Sequence, residues 1–125
     1  ENVKDMSSMF RGANNFDQNV EDMSSMFSIA YDFDHDIDSW NTGKVKDMKN
    51  MFYKAYKFGQ DIDSWNTEKV KYMSYMFGKA YSFDSAINGW DISNVISLRA
   101  TFYSAHKFNQ PIGNWNTEKV KKSHT

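Results

Sequence analysis

The chain repeats itself every 25 residues, and a chain that does so is built by stacking its units. Val45, Val70, Val95 and Val120 are 25 apart, as are Ile37, Ile62, Ile87 and Ile112, and Ala30, Ala55, Ala80 and Ala105. Written from Val, the unit reads V-x-x-M-x-x-M-F-x-x-A-x-x-F-x-x-x-I-x-x-W-N-T-x-K. All 8 Met, 10 Phe and 4 Trp of the chain fall on this template. The core is therefore assigned to Trp40, Trp65, Trp90 and Trp115, to Phe27, Phe52, Phe77 and Phe102, and to Phe33, Phe58, Phe83 and Phe108. A unit this short cannot bury its rings alone, so successive units must cover one another.

The 125 residues divide into five units of one domain: 1–19, 20–44, 45–69, 70–94 and 95–125. The first is short, because Met6 to Met23 spans 17 residues instead of 25. The eight absent residues (25 − 17) would follow Gln18 and carry the Ile and Trp segment. A true deletion or residues missing from the chain as given are the two readings. Towards the other end the template decays, with Leu98 and Thr101 replacing Met and Ser123 standing where another would begin.

The apolar spacing predicts the backbone. Met48, Met51, Phe52, Ala55 and Phe58 recur at threes and fours, one face of a short helix of about two turns. Ile62 and Trp65 lie among polar residues, which predicts an extended segment at Asp61–Trp65 that pairs with its equivalents about 4.8 Å away. Asn66-Thr67 then turns the chain. The expected fold is an α/β solenoid of short parallel strands and short helices.

Composition narrows the function. A net charge of -1 gives no basic excess that would argue for nucleic acid. With 0 Cys there is neither a disulfide framework nor a thiolate metal site. No apolar run reaches the roughly 20 residues of a membrane helix, so a membrane is reached only through an anchor outside the chain. The histidines His35, His106 and His124 occupy unrelated template positions and form no catalytic set with a Ser and an Asp.

Three constellations stand out. Tyr31, Tyr56, Tyr81 and His106 form an aromatic column beside the buried Ala, with Tyr53 and Tyr103 on the same side. Such rings stack on sugars or fill a partner's pocket; the plainer reading is half-buried packing. Asp36 would stack over Asp61 and Asp38 over Asp63, with Asp34 in the same run, where like charges recruit a cation such as calcium or make a solvated rim. No Gly and Glu complete a calcium loop there. Lys44, Lys69 and Lys119, with Lys46, Lys71 and Lys121, form a basic ladder that grips polyanions or keeps an edge soluble. Asn41, Asn66, Asp91 and Asn116 suit a structural turn.

The stretch Val45–Thr67, and most closely Phe108-Asn109-Gln110-Pro111-Ile112-Gly113-Asn114-Trp115-Asn116-Thr117, resembles the BspA-type leucine-rich-repeat-like surface proteins. These are bacterial repeats of the same length, first noted in mycoplasmas as a family of unknown function. The resemblance covers essentially the whole chain; Glu68-Lys69 replaces the family's usual polar stretch. It implies a right-handed, leucine-rich-repeat-like stack and no catalytic residues. It also implies a secreted or cell-surface bacterial protein, often a lipoprotein or wall-anchored, that serves adhesion. The expected function is a monomeric, non-enzymatic module recognising a protein or glycan on a host or neighbouring cell. A structural spacer is the alternative.

Overall fold

The computed structural model describes residues 20–121. The short first unit, the junction after Gln18, Ser123 and His124 lie outside them. The units stack in register, but not as strands and helices. Among the described residues there is no helix, and the only β pairing is the single-residue parallel ladder Asp22–Asp47–Tyr72–Ser97. The expected α/β solenoid of helices and strands is thus corrected: the units are built of turns and loops.

The helix fails for a local reason. Two residues per unit have left-handed backbone: Ser25 and Ile29, Asn50 and Lys54, Tyr75 and Lys79, Ala100 and Ser104, all with φ between 53 and 64°. A left-handed residue at the third place of a tight turn marks type II. Met51 N–H donates to Met48 O at 3.2 Å, Tyr53 N–H to Asn50 O at 3.1 Å and Ala55 N–H to Phe52 O at 2.9 Å. Three overlapping turns therefore replace the two helical turns. They place apolar side chains at the same threes and fours, so the spacing alone does not separate them from a helix.

Alternate peptides swing out along the stack instead. Met48, Asn50, Phe52 and Lys54 donate their N–H groups to the carbonyls of Tyr72, Ser74, Met76 and Gly78 at 2.9–3.0 Å. Met23, Ser25, Phe27 and Ile29 do the same to unit 45–69. Lys71 N–H returns one bond to Lys46 O at 2.8 Å. Every second amide is thereby satisfied by a neighbour, which is what a backbone buried without helix or sheet requires.

Asp61–Trp65 is also corrected, from a strand to a turn. Asp61 Oδ1 accepts the Asp63 N–H at 3.0 Å, and Trp65 N–H closes onto Ile62 O at 3.2 Å. No ladder forms there. The Trp indoles make the axial contact: Trp65, Trp90 and Trp115 donate Nε1–H to the carbonyls of Ile37, Ile62 and Ile87 at 2.9–3.1 Å. Thr42 and Thr67 hydroxyls donate to Asn66 O and Asp91 O one unit on.

The core lies where the template puts it. Within a unit the two Phe rings stack face to face, Phe52–Phe58 at 4.1 Å and Phe77–Phe83 at 4.0 Å. Along the axis Phe52 meets Phe77 at 5.7 Å and Trp65 meets Trp90 at 6.5 Å, each pair within 3° of parallel. The Met, Phe, Ile and Ala positions of units 45–69 and 70–94 are fully buried. In the last unit Phe102, Phe108 and Trp115 pack on that core but are only partly covered. Thr101 replaces a Met without an orphaned hydroxyl: its one hydrogen is shared between Leu98 O at 2.8 Å and Met73 O at 3.1 Å.

Candidate recognition surface

The template leaves the outside of each unit free to vary, and the candidate residues lie there. The aromatic column is real. Tyr31 stacks on Tyr56 at 4.9 Å, Tyr56 on Tyr81 at 4.9 Å and Tyr81 on His106 at 5.2 Å. Tyr31 and Tyr56 are half-buried, while Tyr81 and His106 are exposed. Because the rings lie face on face, the two inner tyrosines offer a ligand their edges and not a face on which a sugar could lie.

Tyr53 and Tyr103 belong to a different arrangement on the turns. Tyr75 stands between them, 6.1 Å from Tyr53 at 89° and 6.3 Å from Tyr103 at 74°. The repeat pattern gave no reason to single out Tyr75, since unit positions equivalent to it hold Ser25, Asn50 and Ala100. Lys54 Nζ lies 5.4 Å from the Tyr53 ring centre, and Lys79 Nζ 5.9 Å from that of Tyr103. Gly78 makes room for this: a Cβ there would sit 3.0 Å from Tyr53 Cδ1.

The five carboxylates proposed for a cation do not converge. No group of three His, Cys, Asp or Glu suited to a metal occurs among the described residues. Four of the five are engaged in the fold instead. Asp34 Oδ1 accepts Gly59 N–H and Gln60 Nε2–H across the unit junction, both at 2.9 Å. Asp36 and Asp61 accept the N–H groups of Asp38 and Asp63, and Asp38 accepts the Ser64 hydroxyl at 2.6 Å. The Asp34 clasp recurs two units on, where Asp84 Oδ1 accepts Asn109 N–H at 2.9 Å and Gln110 Nε2–H at 3.0 Å. Those bonds, the backbone one first, hold the Asp84 carboxyl below its ordinary value of 3.8.

The basic ladder is broken up by local partners: Lys46 pairs with Glu21 at 3.4 Å, and Lys119 donates to Asn94 Oδ1 at 2.9 Å. Asn41, Asn66, Asp91 and Asn116 each accept the N–H two residues on, so they hold their own turns. A groove of about 420 Å³ opens on the last unit between Leu98, Phe102, Tyr103, Ile112 and Trp115. In the preceding units the same positions are covered by the next unit.

Searches of curated proteins and of solved structures found no match. The family described as "Mycoplasma protein of unknown function, DUF285", the BspA-like repeats, matches residues 1–64 and again 21–125, which together span the chain. The chain therefore belongs to this family.

Proposed function

We propose that the chain is a non-enzymatic recognition module, secreted or displayed on a bacterial surface, that adheres to a protein or glycan partner. The observation behind this reading is where its tyrosines lie. Tyr53, Tyr72, Tyr75, Tyr81 and Tyr103 occupy positions that the buried template does not need, and three of them are exposed by 38–50%. Tyr at such positions is a side chain by which binding surfaces gain energy at small entropic cost. Every Met, Phe and Trp among the described residues packs in or against the core, so the recurring template positions serve the fold.

The spacer reading has one observation of its own. The faces of Tyr56 and Tyr81 are spent on one another and on their neighbours, as in a strut. Binding of the chain to arrays of extracellular-matrix proteins and glycans separates the two. A recognition module binds at least one class, and Tyr56→Ala with Tyr81→Ala weakens it if the column contributes. Binding that persists in the double variant removes the column from the surface, and silence across every class leaves the spacer.

A further inference from the structure

Three rings and two cations meet on the turns of units 45–69, 70–94 and 95–121, and Arg99 lies on the neighbouring turn, its carbonyl accepting the Tyr75 N–H. We propose that Tyr53, Tyr75 and Tyr103, with Lys54, Lys79 and Arg99, form a binding track for an acidic polysaccharide. The proposal rests on the recognition reading above and names its ligand class.

The fold does not call for these side chains. Tyr75 has φ 57°, in the left-handed region that suits Gly or Asn, while Asn50 holds the equivalent place at φ 58°. A bulky ring at such a position points to selection for something other than the turn. Its neighbours are arranged around it. Tyr53 reaches it by lying across Gly78, where any Cβ would be in its way. Tyr103, half exposed, meets it from the other side.

Tyr103, half exposed, offers aromatic surface for the C–H face of a sugar, with the half-buried Tyr75 and Tyr53 set near right angles along the track rather than stacked face on face. Lys54 and Lys79 stand over Tyr53 and Tyr103, and Arg99, whose carbonyl accepts the Tyr75 N–H at 2.9 Å, is exposed. The ion pairs among the described residues involve Lys46 and Lys57, so these three cations have no carboxylate partner there. The acidic residue of this face also disappears along the stack: Asp22 and Asp47 give way to Tyr72 and Ser97. Units rise by about 4.8 Å, so the track runs roughly 10 Å along the axis.

Other polyanions fit less well. An acidic peptide that adds as a strand needs free backbone groups at an edge, and the turn peptides of units 45–69 and 70–94 are spent between units. Nucleic-acid affinity comes from many phosphate contacts, typically about six to ten, and three cations supply too few.

The test titrates the full chain with heparin, hyaluronan and chondroitin sulfate. Neutral dextran, oligothymidylate and polyglutamate serve as comparisons. Acidic glycans should bind and dextran should not. Tyr75→Asn, which installs the residue of the preceding unit, should weaken binding about tenfold while the melting temperature holds. Lys54→Gln with Lys79→Gln should do the same, and Gly78→Ala should weaken binding by displacing Tyr53. Glycan binding indifferent to Tyr75 and to both lysines overturns the track, as does oligothymidylate or polyglutamate binding equally well, which would be mere ion exchange. If acidic glycans fail while a matrix protein binds, the track falls and the recognition reading stands.

Discussion

At the scale of single residues, the fold is decided by side chains that tolerate left-handed backbone. The eight positions with φ between 53 and 64° hold Ser, Ile, Asn, Lys, Tyr and Ala, but no Gly. A Cβ in this region costs about 1–2 kcal/mol. Ile29, β-branched and 43% exposed, is the least suited of them. Ile29→Gly relieves that strain and loses part of it again to the freer unfolded chain, leaving a gain of up to about 1 kcal/mol. A rise in the urea midpoint would register it; a fall would mean that the Ile side chain packs better than its exposure suggests. The same residues show why the turns were hard to read in the sequence. A run of Gly at these places would have announced them, whereas Asn50-Met51-Phe52-Tyr53-Lys54 carries no such mark. Tyr75 is unmarked for a related reason: it sits on a variable position, and only its contacts with Tyr53 and Tyr103 set it apart.

At the scale of the unit, side-chain clasps join what backbone bonds alone leave loose. On the Ile flank, Asp34 holds Gly59 and Gln60, Asp84 holds Asn109 and Gln110, and between them Ser85 bridges Asp61 and the Ile62 N–H. The acidic character of this flank was plain in the sequence. Its role was not, because Gln60 and Gln110 fall on the unit after the Asp they bind, 26 residues away. Asp84 gives the clasp a pH dependence. Its folded carboxyl titrates below 3.8, held down by the bonds from Asn109 and Gln110. The clasp therefore contributes in full above 3.8 and is lost as pH falls through the lowered folded value. Asp22 and Asp91, lowered by the hydroxyls of Ser24 and Ser93, act with the same sign. Melting temperature should thus hold from neutrality to about pH 4 and drop below it. Asp84→Ala should lower it at neutral pH and shrink the acid drop; an unchanged acid limb would assign that drop to other carboxylates.

At the scale of the whole stack, stability is shared between neighbours. Phe77 touches Phe83 within its own unit, Phe52 and Phe102 on either side, and Trp90. Phe77→Ala leaves a cavity in a fully buried column and should cost about 3–5 kcal/mol. Hydrogen exchange should rise in units 45–69 and 95–121 as well as in 70–94. Protection lost from 70–94 alone would show that the units unfold independently. This level was the most legible in the sequence, since columns of Met, Phe and Trp at a fixed period admit little besides stacking in register. What the columns did not specify was the backbone between them.

The axial peptides carry one more consequence. Across each described junction four N–H groups point towards the higher-numbered unit and one or two run back, Lys46 with Asp47, then Lys71, then Ile96 making the returns. Peptide dipoles so aligned add along the axis as they do in a helix, with the positive pole beyond Ser104 and the negative pole before Met23. The stack is therefore a vector. A unit laid on the 95–121 end has to answer donors with carbonyls, so units join head to tail in one sense only, and two such ends brought face to face would repel.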